Sequence, residues 1–222
     1  MLYVYAITDP GASTEAPGIG GARVTAVREG DLQALVSAHE RLEPATGVDR
    51  LWEHEAVVEG AGAGGAGVLP LRLDSALAGE DEVRALLRER ADEFGTVLRR
   101  VRGAAELSVR VGLAVAEEPA PVAPGTGGAG TAYMLGRLER ARRAEDLVRA
   151  VHEPLAELAR EHARLGPTLS DRRGQFRLAY LVERGAVEPF RARVEELAES
   201  QPELQLTCTG PWPPYSFVGS AA

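Results

Sequence analysis

In "ELSVRVGLAV", Leu107, Val109, Val111, Leu113 and Val115 alternate strictly with smaller or polar residues. Side chains of a strand point to opposite faces in turn, so this spacing dictates a half-buried strand and a sheet to hold it. The pattern then changes to a helical one, with Leu138, Ala141, Val148, Val151, Leu155, Leu158 and Leu165 on one side and Pro154 as a kink or restart. "PTLSDRRGQFRLAYLVERG" reads as a hairpin turning near Asp171 to Gly174, its second arm alternating through Phe176, Leu178, Tyr180 and Val182. Pro189 suits a helix start and leads into Phe190, Val194 and Leu197. "LQLTCTG" closes the series with Leu204, Leu206 and Cys208 on one face. Strand, helix, strand, strand, helix, strand is the split βαβ or ferredoxin-like order. An antiparallel sheet is therefore expected from residues 105–116, 166–170, 175–184 and 203–210.

The first half reads less regularly. Leu2 to Thr8 is apolar on both faces, as a buried central strand is. "ARVTAVREGDLQALVSAHE" gives two short strands hinged at Glu29-Gly30-Asp31. Asp49 is placed to cap a helix in which Leu51, Trp52, Glu55, Val58 and Glu59 fall on neighbouring rows, and the glycines after Glu59 should weaken or end it. "VLPLRL" is a strand that places Arg72 and Asp74 on one face, for an ion pair or an anion. Glu80 to Arg102 reads as one amphipathic helix, acidic at its start and basic at its end. The expected fold class is α+β with two domains, residues 1–103 and residues 104–222. The Pro- and Gly-rich run 117–130 reads as a flexible loop inside the second domain, because a boundary there would remove the first strand of the ferredoxin-like unit.

Several functions are excluded by chemistry. The net charge of −8 opposes nucleic-acid binding, which needs basic patches. All basic residues are arginine; the chain has no lysine and no asparagine, as GC-rich coding produces, so no Schiff-base or Walker A lysine exists. Cys208 is the single cysteine, which fits a reducing cytoplasm. "MLYVYAITDP" lacks the basic and long apolar regions of a signal peptide, and no apolar run reaches membrane-span length, so neither export nor a membrane partner is expected. "GAGAGGAG" contains G-x-G-x-x-G, but a helix precedes it and a strand follows, the reverse of a dinucleotide site. "HEAVVE" has Val58 where a zincin needs its second histidine. His39, His152 and His162 read as surface residues, and Ser37, Ser75, Ser170 and Ser216 lie in no nucleophile elbow. No catalytic residue, cofactor or metal is expected.

"GPWPPYSF" gathers Pro211, Trp212, Pro213, Pro214, Tyr215 and Phe217 near the end of the chain. Its P-x-x-P spacing suits a polyproline II ligand. A stiff, aromatic-rich tail with little tether is better suited to packing on its own fold. The expectation is that Trp212 is largely buried, near the junction of the halves. Trp212-Pro213 and Pro213-Pro214 are the bonds at which a cis peptide is weighed.

Together with "YVYAI", "HEAVVE" and "VLPLR", this tail resembles the gas vesicle proteins F and L in order and approximate spacing, across nearly the whole chain. That family's pattern continues its proline-arginine strand with phenylalanine, glycine and threonine, where this sequence has Leu73, Asp74 and Ser75. The resemblance implies a two-domain α+β protein whose C-terminal domain is a modified ferredoxin-like fold with extra helices. It implies a non-enzymatic, cytoplasmic role in building gas vesicles, with the small hydrophobic shell protein and other accessory proteins as partners. The alternative is a ferredoxin-like regulatory module that binds a small ligand between its domains; a polar pocket would favour that, and an exposed apolar patch the assembly role.

Overall fold

β1 (Leu2–Thr8) is paired on both edges, and Tyr3 to Ile7 are buried on both of its faces. The structure, a computed structural model, describes residues 1–42, 48–113, 142, 146, 148–166 and 175–219. On one side β1 pairs antiparallel with β3 (Leu32–Ala38), which forms a hairpin with β2 (Val24–Glu29). Glu29 faces Leu32 across the turn, and Gly30 there takes a φ of 56°, the left-handed region in which glycine carries no Cβ penalty. On the other side β1 pairs with β4 (Val68–Pro70) and β5 (Ala76–Leu77), giving the order β2-β3-β1-β4 with β5 also beside β1.

α1 (Asp49–Gly62) covers one face, placing Val57, Val58 and Ala61 in a cluster with Tyr3, Tyr5 and Leu35. Asp49 is its first residue rather than its cap, and the helix ends among the glycines as expected. The glycine run also has a packing reason. A Cβ on Gly67 would lie 2.8 Å from the Leu98 carbonyl oxygen, so the chain approaches its neighbour more closely than a side chain permits. The long helix expected over 80–102 is two: α2 (Glu80–Glu89) against β2 and β3, and α3 (Ala91–Val101) against β3 and β4. The break is Arg90, at φ −111° and ψ 22°, whose guanidinium bonds Glu93 and sits over the Phe94 ring. One residue out of helical geometry leaves the apolar stripe in phase, with Val83 and Leu87 buried before it and Phe94, Leu98 and Val101 after it. Periodicity alone therefore hides it.

The strand expected through "VLPLRL" stops at Pro70, so Arg72 and Asp74 do not share a strand face. Asp74 lies in a turn at φ 66°, where the family's pattern has glycine, and its carboxylate accepts from Arg50 Nη1 at 2.8 Å. Aspartate tolerates the left-handed region better than residues without a short polar side chain. Asp74→Ala is expected to cost about 1–2 kcal/mol in urea denaturation, whereas Asp74→Gly stays within about 0.5 kcal/mol of the parent, backbone relief offsetting the lost ion pair. Equal losses in the two variants would show that the ion pair, not the turn, matters here.

The second sheet contains β6 (Ala104–Leu113), β7 (Glu161–Leu165), β8 (Phe176–Glu183) and β9 (Leu204–Trp212), in the order β7-β8-β6-β9. β7 and β8 are antiparallel, with His162 opposite Tyr180 and Arg164 opposite Leu178. α4 (residues 148–156) and α5 (Val187–Ser200) supply Val151, Leu155, Phe190, Val194 and Leu197 to a core with Leu107, Val109, Tyr180 and Leu204. Cys208 packs against this core, and burial pushes its thiol pKa up.

Pro154 lies inside α4, and the expected helix does not reach Leu165, because residues 161–165 are strand β7. The tertiary pairing with β8 overrides the helix propensity of Glu, Ala, Arg and Leu in that segment. The run 117–130, the turn at 171–174 and most of the expected strand 166–170 lie outside the described residues.

The chain divides into two compact units, Met1–Glu106 with Gly210–Ala222, and Leu107–Thr209. The tail, assigned from sequence to the second domain, groups with the first unit.

Candidate functional site

The tail's partners in the first unit come from three elements. Tyr215, Ser216 and Phe217 form a short 3-10 turn. The backbone N–H and the hydroxyl of Ser216 both donate to the Glu106 carboxylate, at 2.8 and 2.7 Å. The Arg100 guanidinium of α3 donates to the Phe217 carbonyl, and the Tyr215 hydroxyl donates to Glu55 Oε1 of α1 at 2.6 Å. Burial pushes the pKa values of both Tyr215 and Glu55 up.

Pro213, Pro214, Phe217 and Val218 are buried, but Pro211 is not, and Trp212 is 45% exposed. The expectation of a buried Trp212 is corrected: it is the last residue of edge strand β9, and the residues after it turn inward. Among the described residues the cis bond is Gly210-Pro211, upstream of the two bonds weighed from sequence.

Beneath the tail's anchor on α1 is a polar network that sequence reading missed. His54 is 1% exposed, and its Nδ1 lies 2.9 Å from the Tyr3 hydroxyl, which also accepts from the backbone N–H of Asp74. His54 Nε2 makes no hydrogen bond; the Leu71 backbone lies near without closing one. Burial lowers the His54 pKa to about 4 and raises that of Tyr3 to about 12. Beside them the Tyr5 hydroxyl accepts from the Ile19 N–H and is bonded with Ser37 Oγ at 2.7 Å, which in turn meets His39 Nε2 at 2.8 Å. His39 is therefore half-buried rather than a surface residue, and burial lowers its pKa. At neutral pH His54 is uncharged and both tyrosines keep their protons, so this network joins β1, β3 and α1 without presenting a charged nucleophile. The clue in the sequence was two tyrosines in a strand apolar on both faces, since a buried phenol needs a partner.

The opposite side of α1 faces water. Val48, Leu51 and Trp52 are exposed, Trp52 by 63%. Residues 48, 52 and 55 fall on one helical row, and 51 lies one turn before 55. Tyr215, held on Glu55 and 36% exposed, extends that row with an aromatic ring from the tail. Two sequence features thus meet at Glu55: the "LWEHE" helix, with its exposed apolar residues, and the aromatic tail. Among the described residues, no group of three or more His, Cys, Asp or Glu is close enough to hold a metal, and no helix is long and apolar enough to cross a membrane.

Two antiparallel sheets with helices, a tail bound to α1, α3 and Glu106, and an outward aromatic row define the class as a two-sheet α+β protein. Solved structures share that fold: the gas vesicle protein GvpF from Anabaena sp. PCC7120, with a TM-score of 0.80 at 21% identity, covering 98% of this chain and 95% of that one; and GvpF from Microcystis aeruginosa, with a TM-score of 0.76 at 21% identity, covering 98% of each. Among curated relatives, gas vesicle protein L of Streptomyces sp. (strain CB03234) is 34% identical over 252 residues, spanning 100% of this chain and 94% of that protein. Gas vesicle protein F of the same strain is 32% identical, spanning 97% and 98%. Residues 1–219 match the family described as gas vesicle synthesis protein GvpL/GvpF, and the chain belongs to that family. Its role is therefore a gas-vesicle-related one.

Proposed function

We propose that this chain is a non-enzymatic accessory or minor structural protein of gas vesicle assembly. It works in the cytoplasm and at the vesicle, and it docks the small hydrophobic shell protein and other accessory proteins. The observation that carries the reading is the exposed row Val48, Leu51, Trp52 and Tyr215. Apolar surface of this kind, kept in water on a folded unit, is what a docking site needs, and tryptophan and tyrosine are favoured anchors. The tail serves as the strap that fixes Tyr215 in the row, so its role is structural. The second unit is a modified ferredoxin-like domain; the order β7-β8-β6-β9, with α4 and α5 in the two connections, supports that reading.

The test is capture of purified shell protein by the full chain and by Trp52→Ser and Leu51→Ser. A hot-spot tryptophan is worth about 2 kcal/mol or more, roughly thirtyfold in affinity. Trp52→Ser is expected to lose at least that factor, with a melting temperature unchanged because the side chain already lies in water. Affinity equal to the parent's would remove α1 from the docking surface.

A further inference from the structure

The second unit carries a cationic cavity that the docking role does not use. It has a volume of about 360 Å³, and its walls include Arg149 and His152 of α4, His162 and Arg164 of β7, and Phe176 and Leu178 of β8. Sheet register builds it: His162 stands opposite Tyr180 and Arg164 opposite Leu178, so these side chains share one face of the β7–β8 pair. His152 reaches that face from α4 and is fixed there by Tyr180, whose hydroxyl lies 3.1 Å from its Nδ1. The two imidazoles then meet edge to face, with ring centroids 4.3 Å apart.

The charge balance at this place is unusual for a chain of net charge −8. Arg164 lies over the Phe176 ring, 5.0 Å from its centroid, and has no ion-pair partner among the described residues. Arg149 has a loose one, Asp146 at 3.7 Å. Glu153, the next residue of α4, is the carboxylate that acts on His152. Burial, and then the neighbouring His162, hold the His152 pKa below its ordinary value, with Glu153 opposing them. Two guanidiniums beside two edge-to-face imidazoles, with the protonated form of His152 disfavoured by burial and by its neighbour, are an arrangement short of negative charge. An anion among them relieves that shortage, and Phe176 and Leu178 offer apolar contact to whatever carries it.

We infer that the cavity bounded by α4, β7 and β8 binds a small organic anion, a carboxylate or phosphate borne on an apolar or aromatic body. The arginines supply fixed charge and the bidentate geometry that suits such groups. His152 makes the affinity depend on pH: an anion beside it opposes the burial that disfavours its charged form, and by linkage its protonation strengthens anion binding. Binding therefore tightens as pH falls through the histidine range. The inference is independent of the docking surface, because it concerns residues of the second unit alone and needs no partner protein.

The test uses the full chain with benzoate and phenyl phosphate as probes, followed by NMR of the histidine ring protons. Benzoate keeps its charge from about pH 5.5 to about pH 8, so any pH dependence with it belongs to the protein. Saturable shifts at His152 and His162 are expected with both probes, with benzoate about tenfold tighter at the lower pH, the equivalent of about one unit of coupled pKa shift. Arg164→Gln should weaken both probes about tenfold, and His152→Gln should flatten the pH dependence while the dispersed amide spectrum shows an intact fold. Three results would overturn the inference: no saturable shift at the lower pH, equal binding of uncharged benzamide, or parental affinity in Arg164→Gln. Stoichiometric zinc held by the two histidines more tightly than either probe would also overturn it, by assigning them to a metal.

Discussion

Phe217→Ala is expected to destabilise the protein by about 3–5 kcal/mol, the usual cost of truncating a buried phenylalanine. Phe217 is 5% exposed, and the groups around it are already committed: Ser216 to Glu106, and the Phe217 carbonyl to Arg100. A cavity there cannot close without disturbing those bonds, which favours the upper end of the range. Trp212→Ala is expected to cost less, about 2 kcal/mol, because nearly half of the ring's surface stays in water after folding. Chemical denaturation of the two variants beside the parent measures both. A larger loss at Trp212 than at Phe217 would mean that the tail is held by its tryptophan after all. A loss of this size is a large share of the roughly 5–15 kcal/mol typical of a folded domain, so the Phe217 variant should also be visibly prone to proteolysis.

The second large effect is a loss of stability on mild acidification. His54 has a folded pKa near 4, because burial disfavours its charged form. In the unfolded chain it titrates near 6.5. Between those values the unfolded state binds more protons, so stability rises with pH and falls as pH drops from about 6.5 toward 4. A shift of this size corresponds to on the order of 3 kcal/mol, fully lost only below the folded pKa. Asp9, whose pKa Arg102 holds down, adds a loss only at lower pH, as pH falls through the carboxylate range. His54→Gln removes the titrating ring and keeps an acceptor for the Tyr3 hydroxyl. It is expected to be less stable at neutral pH and to show a much shallower decline between about pH 6.5 and 4 than the parent. Parallel declines in the two proteins would assign the acid sensitivity to other groups.

Much of the sheet structure was legible because strand periodicity is local. β1, the hairpin hinged at Gly30, the alternation of β6 and the second arm at β8 each follow from a few neighbouring residues. Errors arose where distant partners decide. β7 has no alternation of apolar and polar residues and carries the good helix formers Glu161, Ala163, Arg164 and Leu165, and only its pairing with β8 makes it a strand. The burial of His54 depends on Tyr3, 51 residues away. Trp212 was expected inside because aromatic area favours burial, but its place at the end of an edge strand outweighs that average preference. The tail and the "LWEHE" helix were each conspicuous in the sequence. The hydrogen bond from Tyr215 to Glu55, which joins them, spans 160 residues, beyond the reach of any local pattern.

The first unit is made of two stretches of chain, with all of Leu107–Thr209 between them. During synthesis from the N-terminus, Met1–Glu106 leaves the ribosome long before Pro213, Pro214 and Phe217 exist. The positions that those residues cover must wait open, or be shielded by a chaperone, while the second unit emerges and folds. Domains that are continuous in sequence fold as units during translation, and exposed apolar surface on a waiting one invites aggregation. The order of events is thereby set by gene direction: the unit that begins first is completed last.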